Sequence, residues 1–353
     1  MADRRKKVIR AGLETLYFSG AHHLAARFLA GSGAILTFHR VRPQQSEAFQ
    51  PNRLLEITPE FLDRLLTRLS DSGTEIVTLD EVYRGLVGRA TSSGRYVALT
   101  FDDGYRDNVE HALPILRKHA APFTLFVPSA FAEGTGELWW VALERAIAAR
   151  DETVITLDGV DRRFASATAE DKDATFAAIY ARLRAAPTED DLRQPVRELA
   201  VATGIDIPAI CRELCMGWDE LARLARDPLV TIGAHTVTHP ILAKLPLEDA
   251  RREMVEGARA LTAHLGRAPE HFSFPVGSPD AAGPREFALA AAAGFRTAVT
   301  TRPGVIFPDH VNHLTALPRI SINGEFQRLR YLDVLLSGAP SALMNRFRRV
   351  DAA

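Results

Sequence analysis

Short runs of apolar and β-branched residues alternate along this chain with longer segments whose apolar positions recur every three or four residues. The short runs are "AILTFHRV" (34–41), "TEIVTL" (74–79), "YVALTF" (96–101), "FTLFVP" (123–128), "LVTIGA" (229–234), "HFSFPV" (271–276), "RTAVTT" (296–301) and "LPRISI" (317–322). Runs of this length and composition predict strands, and the periodic segments between them predict helices. Several of those helices carry their own punctuation. Thr58 stands as an N-cap with Pro59 at the first helical position, and the segment runs out near Gly73. Another opens on Pro246 with acids in its first turn and stops at Gly266. A third, "PREFALAAAAG", ends on Gly294.

Repeated strand–helix units imply a parallel sheet, and seven or eight of them imply an α/β barrel. One stretch breaks the rhythm. Between the strands at 123–128 and 229–234 lie about 100 residues of mostly helical pattern, too long for an ordinary connection. They predict a helical insertion at about 131–216. The remaining barrel spans 31–330, with an N-terminal amphipathic helical segment at 1–30 and a C-terminal helical tail at 331–353. In the N-terminal segment Val8, Leu13, Leu16, Tyr17, Leu24 and Phe28 fall roughly on one side. That side is expected to dock on the domain; its sharper use would be peripheral contact with a membrane surface.

Bulk composition narrows the function. The 353 residues carry a net charge of −1, which gives no electrostatic reason to expect nucleic acid as a partner. No stretch is long and apolar enough to cross a bilayer as a helix. The basic start "MADRRKK" is followed by Glu14, His22, His23 and Arg27, which makes a poor export signal. With only Cys211 and Cys215 available, disulfides are not a main support. These two thiols, four apart, read as small buried residues. The expectation from these features is a cytoplasmic protein, peripheral to the inner membrane face if the N-terminal segment binds lipid.

The unusual polar residues fall at strand ends. Asp102 and Asp103 follow the strand at 96–101, His235 and His239 follow 229–234, and Pro275 and Gly277 close 271–276. In α/β barrels the C-terminal strand ends converge on one face, where sites are built. Two histidines and a carboxylate arriving there make a metal site with an open coordination position. A cation would neutralise one aspartate and leave the other as a base.

In that order, "TFDDGY", "HTVTH" and "FPVG" resemble the motifs of the polysaccharide deacetylase family, the NodB-homology domain of carbohydrate esterase family four. The resemblance implies an irregular (β/α)7 barrel with a helical insertion, and a hydrolase that removes acetyl groups from an acetylated glycan with a divalent metal, most often Zn2+. It assigns Asp103, His235 and His239 to the metal and Asp102 to the catalytic base. The Tyr105 backbone N–H would help hold the oxyanion, and Pro275, Gly277 and Trp218 are expected near substrate. Trp139 and Trp140 read equally as core and as sugar contacts.

Two departures stand out. The arginine that orients the base in the family's third motif is absent from "SFPVG". The late histidine motif that supplies the general acid is also absent, "LPRISI" standing in its place. His39, at the end of the first strand, is the expected replacement acid, as in the "FAYPxG" branch, with His310 and His313 as weaker rivals. Two other readings stay open: the same metal site hydrolysing another C–N or an O-acetyl bond, and a catalytically inactive glycan-binding homologue.

Overall fold

The computed structural model describes residues 2–88 and 94–352. Its centre is a parallel sheet of β1 (Gly33–Phe38), β2 (Glu75–Val77), β3 (Tyr96–Phe101), β4 (Phe123–Val127), β5 (Val230–Ala234), β6 (His271–Ser273), β7 (Thr297–Pro303) and β8 (Leu317–Ser321). Seven of these close a ring in the order β1-β8-β7-β6-β5-β4-β3, with β3 paired back to β1. The eighth, β2, is explained by how β3 divides its edges. One edge pairs with β1 along its whole length, from Gly33 opposite Tyr96 to Phe38 opposite Phe101. The other edge is shared: β2 takes Tyr96 to Ala98 and β4 takes Leu99 to Phe101. The (β/α)7 barrel is therefore present, with β2 filling the gap beneath β4.

The strands form where the apolar pattern places them, and β3 does so residue for residue. β6 is shorter than its apolar run because Val276 and Gly277 both take positive φ, 63° and 64°, and turn the chain away. The helix Pro59–Asp71 is capped as its sequence predicts, Phe61 N donating to Thr58 Oγ1 at 3.2 Å. Its buried residues, Phe61, Leu62, Leu65, Leu66 and Leu69, form one apolar stripe against the barrel.

The insertion differs from its helical reading in one respect. It contains an antiparallel hairpin, Glu152–Leu157 with Val160–Ala165, between helices Trp139–Ala148 and Ala169–Ala185. The hairpin turns on Asp158 and Gly159, at φ 55° and 72°, a two-residue Asp-Gly turn flanked by alternating residues. Its signal was in the sequence. Nor is the insertion a detached body: its apolar core runs from Trp139, Trp140 and Leu143 to Tyr105 and Ile241 on the barrel's loops.

The N-terminal segment is two helices, Ala2–Phe18 and Ala21–Leu29. The single apolar side expected of it is split. Leu13, Leu16 and Tyr17 pack with Tyr331, Val334 and Leu335 of the C-terminal helix Leu329–Leu336, whereas Val8, Leu24 and Phe28 face solvent. Glu14 fixes this docking by accepting from Arg330 and the Tyr331 hydroxyl, both at 2.6 Å.

Candidate metal centre and paired aspartates

The turn after β3 sets the two carboxylates apart. Asp103 and Gly104 both sit in the left-handed region, at φ 74° and 67°, so the backbone reverses within two residues. An aspartate tolerates that conformation better than most side chains, at a cost of roughly 1 kcal/mol. Gly104 meets Val127 of β4 closely enough that even a methyl group would be crowded. The two neighbouring aspartates consequently point to different partners.

Asp103 meets the histidines. Its Oδ1 lies 3.5 Å from His235 Nε2 and 3.3 Å from His239 Nε2, and the three ligand atoms all lie within 4.8 Å of one another. All three residues are buried. Asp103 Oδ1 has no hydrogen-bond partner, a costly state for a buried carboxylate oxygen unless something positive meets it. The His235 Nδ1–H donates to the Ser273 carbonyl at 2.6 Å, which leaves Nε2 with its lone pair turned toward Asp103. Burial brings the His239 imidazole down to about 3, so it is held neutral, as a ligand must be. The donor set, its burial and its orphaned oxygen fit a divalent cation.

The histidine loop is braced from two sides. Thr236 and His239 take positive φ, 70° and 60°, and Glu253 holds the turn by accepting from Val237 N at 2.8 Å and Thr238 N at 2.9 Å. Gly257, on the same helix (Leu247–Leu265), lets the Thr236 backbone approach where a Cβ would collide. From the insertion, buried Arg193 donates to the carbonyls of Thr238 at 3.0 Å and His239 at 3.1 Å. The Trp140 ring lies 5.2 Å from that of His239, and Trp140 Nε1 donates to the Tyr105 hydroxyl at 3.2 Å. Trp139 is buried too, stacked on Tyr180. Both tryptophans are core, and Trp140 packs beside His239.

Asp102 faces a residue whose partner the sequence did not reveal. Arg319 of β8, fully buried, donates from Nη1 to Asp102 Oδ1 at 2.9 Å and from Nη2 to Oδ2 at 2.7 Å, a bidentate pair. Its remaining donors are used as well, Nε on Thr300 O at 2.9 Å and the Nη groups on Thr100 Oγ1 and Ser273 Oγ, both at 3.0 Å. Burial alone would raise the Asp102 carboxyl, but the Arg319 charge and hydrogen bonds outweigh it and hold the group well below the usual carboxylate range. An arginine does meet Asp102, but it comes from β8 and not from the "SFPVG" stretch. The clue was a lone charge in the apolar run "LPRISI", which a buried strand carries only when a partner waits for it. Ser273 joins the two halves of the site: its carbonyl accepts a hydrogen bond from His235 Nδ1–H, and its hydroxyl lies between Arg319 and Asp102.

His39 follows β1 directly and is half-buried. It lies near enough to both aspartates for its positive form to lower each of them. His310 instead hydrogen-bonds the backbone of Phe307, and both it and His313 lie in the helical turn Pro308–Ala316. Tyr105 is fully buried in the loop beside the aspartates. It pairs with Cys215 in a bridge made by Arg106 N to Leu214 O and Met216 N to Gly104 O, which leaves the Tyr105 N–H outside the bridge. Cys211 and Cys215 are free and buried, as expected. Gly277 is required by its backbone, a Cβ there falling 2.7 Å from Thr301 N. Together with Pro275 it forms a tight turn, Gly277 N to Pro275 O at 2.7 Å, anchored to β7. The Trp218 ring stacks face to face on His264 at 4.0 Å, joining two outer helices.

Comparison with known proteins gives a consistent picture. A family model described as "Polysaccharide deacetylase" matches residues 89–298, more than half of the chain. A protein of Bacillus subtilis (strain 168) named "Putative polysaccharide deacetylase YxkH" is 37% identical over 59 residues, which is 17% of this chain and 21% of that one. The aligned part thus spans about a fifth of that relative. Among solved structures, the Streptococcus pyogenes deacetylase PplD in complex with acetate aligns with a TM-score of 0.57 at 19% identity, over 86% of this chain and 97% of that one. IcaB from Ammonifex degensii aligns at 0.53 and 19%, over 87% and 97%. At these identities the two structures speak for the fold.

Proposed function

The chain belongs to the polysaccharide deacetylase family, and on that premise we propose that it is a metal-dependent hydrolase removing N-acetyl groups from an amino-sugar glycan. One observation carries the reading: a carboxylate locked in its ionised form by Arg319 stands beside a buried Asp103–His235–His239 cluster with an oxygen left unpartnered. A structural ion pair has no need of a neighbouring cluster of ligands, and a closed structural metal site has no need of a neighbouring base.

Asp103, His235 and His239 would hold the cation, and two imidazoles with one carboxylate suit zinc. When bound, such an ion supplies Lewis acidity, polarising the acetamide carbonyl and acidifying a water. The other steps fall to the chain itself. Asp102 accepts the proton of the attacking water through a lone pair that Arg319 does not use, and Arg319 keeps the carboxylate in one orientation throughout. The Tyr105 N–H donates to the oxygen on which negative charge develops. His39 delivers a proton to the departing amine, and acetate and free amino sugar leave. The test is acetate release from a panel of N-acetylated and O-acetylated glycans. Release from the N-acetylated members, abolished by chelator and restored by zinc, is the expected result. Release from O-acetylated substrates alone would overturn the amide reading.

The role of His39 is tested separately. An amine is a poor leaving group and needs its proton, whereas an activated phenol ester does not. His39→Ala is expected to bind metal and fold normally, and to lose roughly 10²–10⁴-fold in turnover on amides but far less on an activated acetyl ester. Equal losses on both substrates would make His39 a binding or structural residue.

A further inference from the structure

The termini build a surface that the barrel does not need. Helix Ala21–Leu29 and the C-terminal helix Ala339–Met344 lie against each other, Gly338 approaching the Leu29 carbonyl so closely that no side chain would fit. Phe18, Leu24 and Phe28 from the first segment and Leu343, Met344 and Phe347 from the last are all large, apolar and between 59% and 75% exposed. Six such side chains, at the end of helix Ala2–Phe18, on the two short helices that touch and just past the second, are more than scattered surface residues. On the same terminal segments Arg10, Arg27, Arg346 and Arg348 are exposed and in no ion pair among the described residues. Elsewhere exposed arginines mostly have carboxylate partners, as Arg117 has Asp227 and Arg163 has Glu152. Residues 1–30 and 337–353 together hold nine Lys and Arg against three acids, in a chain whose net charge is −1.

We infer that this two-helix face docks on an anionic phospholipid surface. Leu and Phe side chains reach into the headgroup boundary, and the unpaired arginines meet lipid phosphates, the combination by which interfacial helices bind. The positive charge is what selects this occupant over a second copy of the chain, since two copies would bring the same arginines together.

The position of the face sets the orientation of the enzyme. Helix Ala21–Leu29 ends just before β1 begins at Gly33, the end that pairs with Tyr96 at the start of β3. Asp102 and Asp103 follow the opposite end of β3. A six-residue strand separates the two by about 20 Å. The docked barrel therefore holds its candidate site away from the bilayer, toward glycan that extends from the membrane or approaches from solution.

The test is co-sedimentation of the full chain with vesicles of pure phosphatidylcholine or of phosphatidylcholine with phosphatidylglycerol. Binding to the anionic vesicles, weakening with salt, is expected. Each basic residue near such a surface contributes about five-fold in partitioning, so Arg27→Glu/Arg346→Glu should lower binding by at least roughly 25-fold. Phe28→Asp/Met344→Asp should abolish it, with melting temperature and acetate release unchanged. Absence of binding to anionic vesicles at low salt would overturn the proposal. So would self-association of the wild type that the same substitutions abolish, because a second copy would then cover the face.

Discussion

Asp102→Asn is expected to retain metal at the wild-type stoichiometry while acetate release falls by roughly 10²–10⁴-fold. The amide matches the carboxylate in size and still meets Arg319 through its carbonyl oxygen, but it cannot take a proton from water. Asp103→Asn is expected to do the reverse first: its unpartnered oxygen is the one facing both histidines, so metal is lost and activity follows. Elemental analysis and acetate release on the two variants separate these outcomes. Metal loss from Asp102→Asn, with metal kept by Asp103→Asn, would exchange the two roles.

Arg319→Leu should be among the most damaging single changes in the protein. It strips both hydrogen bonds from a buried carboxylate and leaves that charge uncompensated, a loss of about 3–5 kcal/mol. The pH dependence carries the more specific signature. Arg319 holds the Asp102 carboxyl low against a burial that raises it. Without the arginine the base protonates at higher pH, so the acid limb of kcat/KM moves upward. Arg319→Lys keeps a charge but not the fork that meets both oxygens, and should recover part of the stability while leaving turnover depressed. A destabilised Arg319→Leu variant with an unmoved acid limb would reduce Arg319 to a structural residue.

The strands were legible because each is a short apolar run between clear breakers, and β3 was read to the residue. The Asp103–His235–His239 cluster was legible because its members arrive from strand ends that any α/β barrel gathers on one face. What escaped has a common physical character: it depends on pairings between distant elements. Arg319 and Asp102 lie 217 residues apart and meet only because β8 and β3 flank β1 in the closed ring. Trp218 was read by its chemistry alone, and its stacking on His264 of another helix is a contact no local pattern specifies. The split of the N-terminal stripe followed from where helix Leu329–Leu336 docks, which no local periodicity specifies. The Asp158–Gly159 hairpin is the exception: its turn signal was local and was outweighed by the helical pattern around it.

Acetate release is expected to depend on one divalent cation held by Asp103, His235 and His239. Elemental analysis of the wild-type protein and the His235→Ala/His239→Ala variant, with acetate release measured on the same samples, tests it most directly. One equivalent of metal and chelator-sensitive release are expected from the wild type, and neither metal nor release from the variant. Stoichiometric metal in the double variant would contradict it.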